Sequence, residues 1–306
     1  MLVFVTGASG FVGSAVVADL LSHGHTILAL ARNDAAAAKF DGKDGVEVHR
    51  GSLDDLDSLK MGAEKADAVI HLAFKQDHEN FQANAALDLE VVSAFASVLS
   101  GTLKPLIIAS GVAAFSWDPS RDPSIPATEV PFASALDALP RIASERALTS
   151  LAAAGGRAAA VRLPPCTHGV GDDHGFVGMT VAAARKHGVS PFVGEGTNFW
   201  PATHREDAAA VFRLALEKAP VGEVAYYHAV ADVDGLTAGE VAALVGKRLN
   251  LPVKSITSDE APAHFGSFAP FTTIGVHASA EKTKQGLGWK AVKSTLREKL
   301  EQGVYC

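Results

Sequence analysis

The sequence predicts an α/β protein organised on a doubly wound parallel sheet, with a smaller C-terminal portion. Three observations predict it. Short apolar runs alternate with helical patterns through the first 165 of 306 residues. Those runs are continuously apolar, as strands covered on both faces must be. The first, Val3-Phe4-Val5, leads into Thr6-Gly7-Ala8-Ser9-Gly10-Phe11-Val12-Gly13, a turn with glycine at every third position that opens a helix.

Strands are expected over residues 2–5, 26–30, 46–49, 68–72, 106–109 and 157–162, with a helix over 11–22 and another near 135–154. Strand, helix and parallel strand join through right-handed crossovers. Past Pro164-Pro165 the texture changes. A Gly-, Asp- and His-rich loop over 168–175 precedes a helix and a loop carrying Gly194, Gly196 and Pro201. Helices are expected near 207–216, 238–249 and 291–302, and strands near 224–230 and 253–256. Residues 1–165 are assigned to dinucleotide binding, with segments around 200–230 returning to that part. Residues 166–306 are assigned to a smaller mixed α/β substrate-binding portion.

Composition narrows the function. At 48% hydrophobic and 20% charged residues the chain is too apolar to be disordered. A net charge of −7 without any Lys/Arg block offers no clustered basic face for nucleic acid. Two cysteines, Cys166 and Cys306, make neither a disulfide framework nor a zinc spacing, which suits a reducing compartment. The apolar N-terminus is broken by glycines and lacks a basic flank, and no apolar run is long enough for a membrane span. A cytoplasmic enzyme acting on a small molecule, without nucleic-acid or membrane partners, is the expectation.

The glycine turn carries the chemistry. A pyrophosphate bound at a helix N-terminus needs backbone N–H groups brought close, which side chains would block. Gly7 permits the tight turn, Gly10 the close approach, and Gly13 tight helix–strand packing, with Ser9, Phe11 and Val12 completing the loop. An NAD site wants a carboxylate at the tip of the second strand to hold the ribose 2′-OH. Here that strand ends Leu30-Ala31-Arg32-Asn33, with Asp34 past the tip. A guanidinium at Arg32, helped by the Ser9 hydroxyl, suits a 2′-phosphate, so NADP(H) is the expected cofactor.

With these features in place, the chain resembles the extended short-chain dehydrogenase/reductase superfamily, in its epimerase/dehydratase-like branch. The resemblance rests on Thr6-Gly7-x-x-Gly10-x-x-Gly13, Gly51-Ser52-Leu53, His71-Leu72-Ala73, Arg162-Leu163-Pro164-Pro165, His168-Gly169 and Arg205-x-Asp207-Ala208-Ala209. It implies a Rossmann-type fold, with Ser52 and Leu53 at the adenine, Leu72 and Ala73 at the ribose, and Pro164 near the nicotinamide. Ser52 stands where relatives usually carry Asp. Lys75 and His78, after the fourth strand, are candidates facing the same site. A homodimer is expected by analogy with the superfamily.

One departure matters. Most of the superfamily uses Tyr-x-x-x-Lys on the helix after the fifth strand, the lysine lowering the tyrosine pKa. None of Tyr226, Tyr227 and Tyr305 has lysine four residues later. The resemblance places Arg141 at the tyrosine position and Glu145 at the lysine position, either as a site pair or as a structural helix ion pair. The accompanying serine falls on Gly111 or, with a one-residue slip, Ser110. Arginine cannot donate a proton at ordinary pH, but it can stabilise an oxyanion as a fixed charge. Hydride transfer to an activated carbonyl or an imine needs less acid help than transfer to a plain ketone. Ser110, Arg141, Glu145, His168 and His174 are therefore the catalytic candidates, with Asp172 and Asp173 beside the histidines. No His-x-x-x-His pattern or cysteine ligand accompanies them, so no metal is expected. Three readings stay open: an NADP(H)-dependent oxidoreductase, an isomerase, dehydratase or cyclase retaining the nucleotide, and a catalytically silent NADP(H) sensor.

Overall fold

The computed structural model describes residues 1–75, 77 and 79–305. The candidate His78 and the second cysteine, Cys306, lie outside the described residues. The first half runs β1 (Leu2–Thr6), α1 (Phe11–Ser22), β2 (Thr26–Ala31), α2 (Asp34–Ala38), β3 (Val46–Arg50), α3 (Leu56–Lys65), β4 (Ala68–His71), α4 (Phe81–Leu99), β5 (Pro105–Gly111), α5 (Ile142–Ala153) and β6 (Arg157–Leu163). It continues β7 (Cys166–His168), α6 (Phe176–His187), β8 (Ser190–Val193), β9 (Phe199–His204), α7 (Arg205–Lys218) and β10 (Val224–His228). The chain closes with β11 (Asp232–Thr237), α8 (Ala238–Leu249), β12 (Val253–Ile256), α9 (Ala261–Phe265), α10 (Glu281–Leu287) and α11 (Leu296–Gln302).

The central sheet is parallel, seven strands in the order β10-β6-β5-β4-β1-β2-β3. Alternate residues of β1 enter opposite cores. Val3 and Val5 pack with α1 and α7 through Val16, Leu20, Phe212 and Leu216. Phe4 packs with α3, α4 and α5 through Leu59, Phe95 and Leu148 on the other face. Helices on both sides explain why the strands are apolar without alternation. The smaller portion holds β11-β9-β7 and the β12-β8 pair, with Trp200, Leu236 and Val241 in its core. Among the described residues, no helix is long and apolar enough to cross a membrane.

Three local expectations are corrected. The helix placed near 135–154 begins only at Ile142, after a single 3₁₀ turn at Ser134–Leu136. Pro140 lacks an N–H and disfavours helical geometry at Leu139, which separates the two pieces. The helix placed over 291–302 is the short α11, because Thr295 and Glu298 close a capping box that fixes its start. Pro201 lies inside β9, at the point where the β11 pairing slips register between Asp232 and Leu236, so its missing donor breaks no ladder bond.

Candidate active site

The turn after β1 is built for an anion. Gly7 adopts φ +69°, and a Cβ there would lie 2.8 Å from the Ala73 nitrogen. A Cβ on Gly13 would lie 2.0 Å from the Gly7 carbonyl oxygen, so α1 can pack on the turn only without one. Gly10, the N-cap of α1, offers no side chain to its free N–H groups, and the first turn holds no acid. Those donors and the positive helix end are left for a ligand. They fit the pyrophosphate of a dinucleotide. The site also lies where the strand order reverses, between β1 and β4, the crevice in which doubly wound sheets bind ligands.

A cleft of about 1340 Å³ opens from this turn. That exceeds the few hundred to about 1,000 Å³ of a usual small-molecule site, as a dinucleotide and a second molecule together require. Gly7, Ser9, Gly10, Phe11, Val12 and Gly13 line it from the turn. Arg32, Ser52, Leu53, Leu72, Ala73 and Lys75 line it beyond, as do Ser110, Gly111, Arg141 and His174 toward the smaller portion. Pro164, Glu145 and His168 do not border it, whereas Leu163, Pro165, Asp172 and Asp173 do. Lys75 is held by Asp54 at 2.7 Å.

Arg141 is anchored by a buried polar chain that the sequence did not disclose. The Thr6 hydroxyl oxygen accepts from the backbone N–H groups of Leu72 and Ala73, both at 3.2 Å. Its own hydrogen is then free for His71 Nδ1, 2.7 Å away. With Nδ1 accepting, Nε2 carries the imidazole proton and donates it to Asp88 at 3.1 Å, a tautomer assigned from the network. Asp88 also accepts from the Ser144 hydroxyl and pairs with the Arg141 guanidinium at 2.9 Å. Burial alone would raise the Asp88 carboxyl, but the His71 hydrogen bond, the Arg141 charge and Ser144 outweigh it and hold the pKa at about 2. Arg141 further donates to the Ala109 carbonyl at 2.8 Å, and its guanidinium stacks 4.3 Å from the Phe74 ring centre. One signal could have revealed Asp88: a carboxylate on the apolar stripe of α4, between Ala85 and Val92.

Glu145 and Arg141 do not form the helix ion pair that their spacing allowed. Arg141 is the N-cap residue of α5, not part of its body. Glu145 turns away from the cleft and takes both Nε and Nη2 of Arg162, at 3.0 and 2.7 Å. Arg162 is 0% exposed, sandwiched by Phe132 at 3.8 Å and Tyr226 at 4.7 Å, with a further bond to the Val130 carbonyl. His168 is buried edge-on against His204, its ring nitrogens without hydrogen-bond partners among the described residues. Burial, with the nearby His204 and Lys299, drops its pKa to about 3, so it is neutral.

The loop before α6 does reach the cleft. Burial raises Asp172 to about 6, against opposing bonds from the Tyr305 hydroxyl at 2.9 Å and the Gly175 N–H at 2.9 Å. The Gly169 N–H donates to that same hydroxyl, so the C-terminal segment clasps the loop. Tyr305 was not expected there. Among the described residues, no three His, Cys, Asp or Glu side chains converge as ligands of a metal would.

Comparison with known proteins agrees with this architecture. The chain belongs to the NAD dependent epimerase/dehydratase family, whose model matches residues 3–226. It is 43% identical over 305 residues to the uncharacterized protein C2A9.02 of Schizosaccharomyces pombe, covering 100% of both chains. It is 40% identical over 299 residues to the uncharacterized protein YLL056C of Saccharomyces cerevisiae, covering 97% of each. Among solved structures, the dTDP-glucose 4,6-dehydratase DesIV of Streptomyces venezuelae, with NAD and TYD bound, superposes with a TM-score of 0.75 at 20% identity. That match covers 99% of this chain and 96% of the other. The UDP-glucose 4-epimerase of Thermotoga maritima gives 0.75 at 20% identity, covering 99% and 97%. These likenesses establish a Rossmann-type fold, and the family is one of NAD-dependent enzymes.

Proposed function

We propose that this protein is an NADP(H)-dependent oxidoreductase that reduces or oxidises a small organic substrate, of activated carbonyl or imine type, without a catalytic tyrosine. The observation that carries the cofactor choice is the lining at the tip of β2. Arg32, Asn33, Ala35, Ala36 and Lys39 face the cleft there, and that segment contributes no carboxylate to it. Asp34, the nearest acid, does not border the cleft and pairs with Arg50 at 2.8 Å. Among the described residues the Asp34 carboxylate is taken by Arg50 and no ion pair holds Arg32, while Lys39 reaches the Ser9 carbonyl at 3.1 Å. Two cations and the Ser9 hydroxyl beside a dinucleotide turn favour a 2′-phosphate over a free 2′-OH.

In this reading the glycine turn and the start of α1 hold the pyrophosphate, Ser52 and Leu53 the adenine, and Leu72 and Ala73 the adjoining ribose. The bound nicotinamide supplies or accepts a hydride. Arg141, fixed by Asp88 and Ala109, contributes its remaining N–H groups to an oxygen that becomes negative. His174, which also lines the cleft, is the candidate for proton exchange with substrate. Glu145 and His168 act through packing.

The test is a titration with NADPH and with NADH, following quenching of Trp117, which borders the cleft. NADPH is expected to bind more tightly, and Arg32→Ala to weaken it roughly ten- to a hundred-fold, the worth of a charge-assisted bond, while NADH changes little. Unchanged NADPH preference in Arg32→Ala would overturn the cofactor assignment.

A further inference from the structure

The cleft has a second end that the cofactor reading does not use. There Arg141 stacks on Phe74, and Phe74 meets Phe81 at 5.8 Å between ring centres. Phe81 meets Phe271 at 6.3 Å, Phe271 meets Phe268 at 5.7 Å, and Phe268 meets Phe176 at 5.0 Å. All of these residues line the cleft. The rings come from the loop after β4, the start of α4, the start of α6 and the 3₁₀ turn Gly266–Phe271, yet they form one continuous wall.

The charges at this end are equally informative. Of the arginines and lysines lining the cleft, Arg32 and Lys39 belong to the β2 tip, Lys75 is paired with Asp54, and Arg141 with Asp88. Asp172 and Asp173 border the cleft as well. A diphosphate taken out of water needs uncommitted cations or free helix N–H groups to replace its solvation. The N-terminus of α6 at this end already faces the Asp172 carboxylate, which accepts from the Gly175 N–H. Beyond the β2 tip, the described residues offer no uncommitted Lys or Arg, and the two carboxylates oppose a second anion. Aromatic rings, by contrast, pack edge-to-face and offset against a flat ring.

From this we infer that the second end takes a neutral, planar aromatic carbonyl compound, an aromatic aldehyde or aryl-conjugated enal, and excludes sugar nucleotides. The inference rests on the oxidoreductase reading for its chemistry and on the wall for its specificity. The wall holds the ring, and the N–H groups of Arg141 not spent on Asp88 and Ala109 can donate to the carbonyl oxygen. Reduction of the carbonyl carbon takes a hydride from the reduced nicotinamide, its oxygen takes a proton from water with His174 as the candidate carrier, and the products are the alcohol and the oxidised nicotinamide.

The test uses the full chain saturated with NADP⁺, so that nothing turns over, titrated with cinnamaldehyde, cyclohexanecarboxaldehyde and UDP-glucose while Trp117 emission is followed. Cinnamaldehyde is expected to bind at least about tenfold more tightly than the cyclohexyl aldehyde, with no binding of UDP-glucose. Phe271→Ala is expected to weaken cinnamaldehyde about tenfold and to leave the affinity for NADP⁺ unchanged. Phe81→Leu, which keeps bulk without the ring, gives a second reading should the first variant not fold. UDP-glucose binding as tightly as cinnamaldehyde, or wall variants that bind it like the wild type, would overturn the inference. Cinnamaldehyde binding with no NADPH oxidation would leave the aromatic site standing and remove the redox reading.

Discussion

Asp88, in the middle of α4, holds the guanidinium of Arg141 at 2.9 Å while accepting a hydrogen bond from His71 on its other oxygen. A single buried carboxylate thus ties the strand beside the glycine turn to a residue that lines the cleft. Removing one partner of such a buried pair leaves a charge uncompensated, which is far worse than never having had the pair.

That carboxylate should be visible in the acid stability of the protein. Its folded pKa is about 2 against an ordinary 3.8, so it stabilises the fold above the ordinary value and the contribution is lost as pH falls toward 2. The shift corresponds to a contribution on the order of 2 kcal/mol. In urea unfolding, Asp88→Asn should be less stable than wild type at pH 6, with the gap narrowing as both are taken from pH 5 toward pH 2. A gap of constant size would refute the assignment.

Asp172 moves in the opposite sense. Its pKa is raised to about 6, so its contribution to stability is fully present below the ordinary carboxylate range and is lost as pH rises through about 6. The Tyr305 hydroxyl opposes that rise. Tyr305→Phe should therefore shift the Asp172 titration further upward, as read by carboxyl-carbon NMR against pH. A downward shift, or none, would mean that the clasp is not made in solution.

Glu145 is expected to behave as a structural residue. Glu145→Ala strands the fully buried Arg162 and should cost roughly 3–5 kcal/mol in chemical denaturation. At low temperature, where the variant remains folded, NADPH affinity should match the wild type. A stable variant with impaired cofactor binding would return Glu145 to the site.

Gly13→Ala tests the turn. The added methyl would sit 2.0 Å from the Gly7 carbonyl oxygen, so α1 must move away from the turn. Dinucleotide binding should become undetectable in fluorescence titration, with thermal stability reduced. Retained affinity would show that the turn is not what holds the pyrophosphate.

Much of the fold was legible because its causes are local. Glycine spacing and apolar runs each act within a few residues. That Gly7, Gly10, Gly13 and Arg32 line one cleft followed for the same reason, since they stand at fixed offsets from strand ends. The anchoring of Arg141 was not legible: Thr6, His71, Asp88 and Ser144 are far apart in sequence and meet only when β1, β4, α4 and α5 pack. Helical spacing suggested that Glu145 faces Arg141. Pro140, however, delays α5 until Ile142, and the buried Arg162 claims the carboxylate. The aromatic wall was hidden for the same reason as that buried polar chain, since Phe74 and Phe81, Phe176, and Phe268 and Phe271 come from stretches far apart in sequence.

The path of the chain through the sheet has a mechanical consequence. After β6 the backbone leaves to build β7, β8 and β9, and then comes back. It lays α7 against α1 and inserts β10 as the edge strand beside β6 before leaving again. Strand and helix are thus stitched across the two portions, and neither can be peeled off whole without tearing hydrogen bonds or apolar packing in the other. Heating should melt the molecule in one calorimetric event, and a fragment ending at residue 165 should fail to hold its shape, lacking both an edge and a covering helix.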